Sequence, residues 1–110
     1  MRELPHPAAA DLRLSEIMRA FADPVRLELV RRISVGGEDS CAATSDGISL
    51  HPSTISHHFR VLRETGVTRT RVDGRSRHVR LNPDLETRYP GLLDSVLTAL
   101  SVEGPLADLA

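Results

Sequence analysis

Cysteine occurs once in the 110 residues, as Cys41. A lone thiol forms no internal disulfide and offers no thiolate pair, which excludes an oxidatively stapled scaffold, a zinc finger and a thioredoxin-like redox centre. No apolar run approaches the ~18 residues of a membrane span. The opening MRELPHPAAADLR lacks the apolar core of a secretory leader, so the sequence predicts a cytoplasmic protein. Lysine is absent, and all fourteen cationic side chains are arginine. What remains, 40 % hydrophobic and 26 % charged residues, describes a soluble globular chain. Its length predicts a single domain over residues 1–110, small enough that every apolar face has to be used and pairing with a second copy would help.

The net charge of −1 conceals three blocks. Residues 1–50 set six Arg against eight acids, residues 51–80 set seven Arg against Glu64 and Asp73, and residues 81–110 set Arg88 against five acids. The blocks therefore carry −2, +5 and −4. One cationic face inside a balanced chain suits a polyanion, whereas the plainer reading is a solvated basic surface.

Leu14, Ile17, Met18 and Phe21 recur at steps of three and four, predicting a one-sided helix over about residues 11–22. Asp23-Pro24 then supplies an N-cap and a first-turn proline for a second helix through Val25, Leu29, Val30 and Ile33, ended by Gly36-Gly37. Arg26 falls inside the apolar arc of that helix, so either it is buried beside an acid or the arc lies elsewhere. The stretch EDSCAATSDGISL predicts a short third helix anchored by Ile48 and Leu50. His51 as cap, Pro52 in the first turn and Gly66 as terminator predict a fourth helix over residues 52–65. Beyond it, VTRTRV and RSRHVRL flank Asp73-Gly74 as a β-hairpin over residues 67–81, with the two-residue loop placed at Asp73-Gly74. Asn82-Pro83 starts another helix, Pro90 breaks it, and Leu92, Leu93, Val96, Leu97 and Leu100 build a terminal apolar helix. Residues 1–9 and 104–110 are expected to fray.

On the fourth helix Ile55, Phe59 and Leu62 share the core side, and the opposite face carries Ser53, His57, Arg60 and Glu64 flanked by Thr54 and Ser56. Short hydroxyls let a helix backbone approach the edges of base pairs in a major groove, while Arg reaches guanine or phosphate. His57 is expected to face outward and His58 to hydrogen-bond within the fold, since adjacent helical residues diverge by about 100°. Arg69, Arg71, Arg75 and Arg77 crowd the hairpin, where mutual repulsion is relieved by phosphates. The plainer use of such charge is to protect a strand edge from aggregation.

FADPVRLELVRRI at 21–33, STISHHFRVLRETGV at 53–67 and VDGRSRHVRLNP at 72–83 resemble the ArsR-type winged helix-turn-helix repressors of bacteria, over about residues 14–100. The resemblance implies a mainly α fold with a two-stranded hairpin wing, in the order α-α-α-α-β-β-α. It also implies helix 52–65 in the major groove, the wing on the backbone or minor groove, and a homodimer built on helices 11–22 and 90–101. On that reading Ser53, Thr54, Ser56, His57, Arg60, Arg69, Arg71, Arg75 and Arg77 contact double-stranded DNA, about eight phosphates per dimer. No cofactor is implied. The family's metal sensors carry a Cys-x-Cys pair on the third helix, where Cys41 stands alone, and terminal-helix sites need histidine, which residues 82–110 lack. A metal-responsive repressor and a module binding an acidic protein stay open as alternatives. Catalysis is not expected: Ser56 diverges from His57 and His58, and no triad acid or oxyanion loop is placed.

Overall fold

The computed structural model describes residues 2–104. Its elements are β1 (Arg2–Glu3), a 3-10 turn (Ala9–Asp11), α1 (Leu14–Phe21), α2 (Pro24–Gly36), β2 (Asp39–Ser40), α3 (Cys41–Thr44), α4 (Pro52–Glu64), β3 (Thr68–Asp73), β4 (Ser76–Leu81), α5 (Pro83–Arg88) and α6 (Leu92–Ser101). The strands form one antiparallel sheet in the order β1-β3-β4-β2, and this is a winged helix-turn-helix.

Three helices begin as their caps dictate. Asp23 Oδ1 accepts from the Val25 and Arg26 amides at 2.8 and 3.2 Å, His51 Nδ1 from Ser53 at 3.1 Å, and Asn82 Oδ1 from Asp84 at 3.0 Å, each followed by proline in the first turn. Ile17, Leu29, Val30, Leu62, Val67 and Val79 are sealed from solvent between α1, α2, α4 and the hairpin. Burying such side chains contributes about 1.5–3 kcal/mol each.

Several expectations are corrected. The first helix is shorter than 11–22, because residues 9–11 form a separate 3-10 turn. The third helix has only four residues; Ile48 packs against the core, while Leu50 is half-buried on the wall of a groove. Residues 2–4 are not frayed: Arg2 pairs with Val72, Glu3 with Arg71, and the Leu4 amide donates to the Thr70 carbonyl at 2.8 Å. Residues 105–110 lie outside the described part. The hairpin loop is Gly74-Arg75, not Asp73-Gly74, since Asp73 pairs with Ser76 and Gly74 has φ +62°. The register is set at the base of the hairpin, where the Asn82 amide donates to the Val67 carbonyl at 3.0 Å and the Asn82 side chain to the Gly66 carbonyl at 2.9 Å. The expected break at Pro90 is present, and α6 runs from Leu92 to Ser101 as the terminal apolar helix.

Arg26 is half-buried, and its partners are not acids. Nε donates to the Ala20 carbonyl at 2.8 Å and Nη2 to that of Arg19 at 3.3 Å, so the guanidinium caps the C-terminal end of α1. Nη1 lies 3.1 Å from His58 Nδ1, and because arginine only donates, the imidazole accepts there in its neutral form. A second polar knot is Glu28, buried in α2, which accepts from Arg31 at 2.9 and 2.6 Å and from Arg32 at 2.7 Å. The Arg31 bond holds its carboxyl below the usual range despite burial. Arg32 also donates to the Thr44 and Asp46 carbonyls, tying α2 to the end of α3.

Two stability measurements follow. Gly66 has φ +87°, and a Cβ there would run into the Leu12 side chain. Gly66→Ala should therefore lose at least about 2 kcal/mol in urea unfolding, and Gly74→Ala, with open space around it, clearly less. Burial, with Arg26 and His57 adding to it against Asp23, lowers the His58 pKa from 6.5. The unfolded chain then takes up a proton that the folded chain refuses, so stability should decline as pH falls below about 6.5. Replacing His58 by Gln should flatten that decline in pH-dependent urea melts.

Candidate nucleic-acid interface

Thirteen residues make α4 about 20 Å long. Ser53, Thr54, Ser56, His57 and Arg60 are all exposed, Ile55 is half-buried, and His58, Phe59, Val61 and Leu62 are buried. The helix thus turns its small hydroxyls, one imidazole and one guanidinium to solvent over an apolar base. His57 and His58 diverge as expected, with ring centroids 6.0 Å apart, His57 outward and His58 bonded inside the fold. This face admits close approach of a groove, because no long side chain holds the helix backbone away over its first two turns.

The hairpin does not present its arginines as one set. Strand alternation places Thr68, Thr70 and Val79 toward the helices and Arg69, Arg71 and Arg80 toward the outer side. On that outer side Arg69 donates to Asp84 at 2.7 Å, Arg71 to Glu38 with Asp73 at 3.8 Å, and Arg80 lies 3.6 Å from Glu3. The outer cluster is thereby largely neutralised. Arg77 is on the other side, lining a small cavity with Ser56, Arg60 and Arg63, and Arg75 stands exposed at the tip. Among the described residues Arg60, Arg75 and Arg77 enter no hydrogen bond or salt bridge. The structure therefore gathers Ser56, Arg60 and Arg77 around one cavity, next to the exposed Ser53, Thr54 and His57 of the same helix, and sets Arg69 and Arg71 apart. The four wing arginines expected to contact DNA are thus divided between two faces and the tip of the hairpin. The acids responsible, Glu38 and Asp84, lie too far away in sequence for a local reading to pair them.

Arg63 joins this cluster and was not singled out by the sequence. It is half-buried, and its Nε is buried without a hydrogen-bond partner among the described residues. The available signal was its spacing of three from Arg60 and seven from Ser56, which places the three along one strip of the helix. Cys41 shares the cavity wall; burial pushes its thiol up to about 11, so it remains protonated at neutral pH. Among the described residues no three His, Cys, Asp or Glu side chains gather as a metal-holding group, and no helix is long and apolar enough to cross a membrane.

Comparison with known proteins agrees with this architecture. The family described as a helix-turn-helix domain matches residues 21–71. The uncharacterized HTH-type transcriptional regulator YceK of Bacillus subtilis (strain 168) is 36 % identical over 84 residues, covering 74 % of this chain and 84 % of the relative. A crystal structure of an ArsR family transcriptional regulator superimposes with a TM-score of 0.65 at 23 % identity, over 80 % of this chain and 96 % of that one. The transcriptional repressor BigR of Xylella fastidiosa gives a TM-score of 0.63 at 26 % identity, over 86 % and 88 %. The chain belongs to the helix-turn-helix transcriptional regulators, a family of regulators and not of enzymes, and shares its fold with an ArsR family member.

Proposed function

We propose that the protein is a homodimeric repressor that occupies an inverted-repeat operator, with α4 in the major groove and the Arg75 tip and Arg77 against adjacent backbone. The observation that carries this reading is the sorting of charge: the arginines beside α4 are unpaired, and those on the far side of the sheet are matched by carboxylates. Ser53, Thr54, Ser56, His57 and Arg60 then read bases and nearby phosphates. Arg69 and Arg71 serve to brace the wing, and direct DNA contact passes to Arg75 and Arg77. The repressor role takes support from the likeness to BigR, a transcriptional repressor. Dimerisation takes support from α1 and α6, where Leu14 and Met18 are each 47 % exposed beside half-buried Leu92 and Val96.

With about six phosphates contacted per dimer, fewer than the sequence suggested, operator affinity should fall with a log-log salt slope of about −5. Arg77→Ala should weaken binding about tenfold and make that slope shallower by about 2 per dimer, while Arg69→Ala should change affinity less than about twofold. Equal damage from both, in fluorescence anisotropy on a selected operator, would refute the sorting. Arg60→Ala should relax base preference by about 1–3 kcal/mol per lost contact. Met18→Glu should convert the dimer to monomer in sedimentation equilibrium and abolish protection of paired half-sites about 34 Å apart; a monomeric wild-type chain would end the dimer reading.

A further inference from the structure

Between α3 and α4 runs an open groove of about 450 Å³, walled by Ile48, Leu50, Pro52, Ile55 and Phe59 and floored by the small Ala42 and Ser45. It exists because α3 is only four residues of CAAT, with no large apolar side chain to fill the space against Ile55. Cys41, Ser56 and Phe59 form a wall common to this groove and to the smaller cavity, about 60 Å³, that holds Arg60, Arg63, Thr70 and Arg77. One end is therefore apolar and the other cationic. At the cationic end two buried polar atoms, Arg63 Nε and Oγ1 of Thr70, a residue only 3 % exposed, lack partners among the described residues. Unmet buried donors are costly, and an acceptor entering the cavity would remove that cost.

We propose that the groove binds a small carboxylate with an apolar tail, the tail between α3 and α4 and the carboxylate among Arg63, Arg77 and the Thr70 hydroxyl. The two-part lining selects against both obvious simpler occupants. An inorganic anion leaves Ile48, Leu50 and Ile55 uncovered, and a neutral apolar molecule leaves the guanidinium groups and the Thr70 hydroxyl unmet. A carboxylate accepting from arginine gains a charge-assisted hydrogen bond, about twice as strong as a neutral one. Binding has a regulatory consequence that rests on the DNA-binding reading above: Ser56, Arg60 and Arg77 belong to both sites, so the ligand takes guanidinium groups that phosphates would otherwise occupy.

Octanoate and its neutral isostere octanamide are the probes, titrated calorimetrically into the full-length protein without DNA. Octanoate should bind at least about tenfold more tightly than octanamide. Ala42→Phe, made at an exposed position on the groove floor, should abolish octanoate binding while leaving thermal unfolding and operator affinity unchanged. Arg63→Gln should remove the preference for octanoate over octanamide. Equal binding of the two probes, binding of neither, or unaltered octanoate binding by Ala42→Phe would overturn the proposal. Adding octanoate to the operator complex should then release DNA from wild type and not from Ala42→Phe. Because the calorimetry contains no DNA, failure of the operator reading leaves its result intact, and absence of octanoate binding leaves the operator reading intact.

Discussion

The link between the Asn82 side chain and the Gly66 carbonyl is the constraint on which the arrangement of this molecule turns. Helix α4 must end, reverse into β3 and hold a fixed angle to the hairpin, all within the three residues from Thr65 to Val67. Gly66 makes the reversal by taking a left-handed backbone conformation and leaves room for Leu12 by having no Cβ. Asn82, at the far end of the hairpin, returns to that turn with its side-chain nitrogen and to Val67 with its backbone, and its side-chain oxygen accepts from the Asp84 amide to start α5. Tyr89 completes the junction by donating its hydroxyl proton to the Leu12 carbonyl at 3.1 Å. Helix α4, the hairpin and the segments before α1 and after β4 are thus fastened at one point.

From this junction the distribution of charge follows by simple alternation. Once Asn82 sets the register, Thr68 and Thr70 face inward, and Arg69 and Arg71 have no choice but to face outward. The block of +5 read from the sequence is real as composition, yet three of the hairpin's five arginines, Arg69, Arg71 and Arg80, lie against Asp84, Glu38 with Asp73, and Glu3. What stays open is a smaller and more directed set, Arg60 and Arg77 on one cavity with half-buried Arg63, and Arg75 at the hairpin tip. Arginine suits this use, since its planar fork engages oxygen acceptors in pairs and keeps its charge at any physiological pH.

The helices were legible because their signals are local. Asp23-Pro24, His51-Pro52 and Asn82-Pro83 are each a cap and a first-turn proline in adjacent positions, and each begins a helix where expected. The outward face of α4 was legible for the same reason, a period of 3.6 over a well-delimited stretch. What escaped depends on partners distant in the chain. Two-residue strands such as Arg2–Glu3 and Asp39–Ser40 have no periodicity to read and exist only because β3 and β4 offer them an edge. The loop was placed one residue early because the Asp-Gly preference is a statement about an isolated turn, whereas the hairpin is aligned from its base. Arg26 looked misplaced on an apolar arc until the end of α1 supplied carbonyls and His58 a lone pair. Glu28 gave no sign of burial, since its neutralisation by Arg31 and Arg32 resembles an ordinary solvated helix pair.

The flanking of the hairpin by β1 on one edge and β2 on the other has a mechanical consequence. A two-stranded ribbon attached only at its root flexes easily; one stapled along both margins moves with the body of the protein. In the proposed operator complex, such a stiff arm would transfer the work of adjustment to the duplex. Sequences whose steps bend cheaply would be favoured at positions that no side chain touches, so part of the operator code would reside in the elasticity of DNA itself.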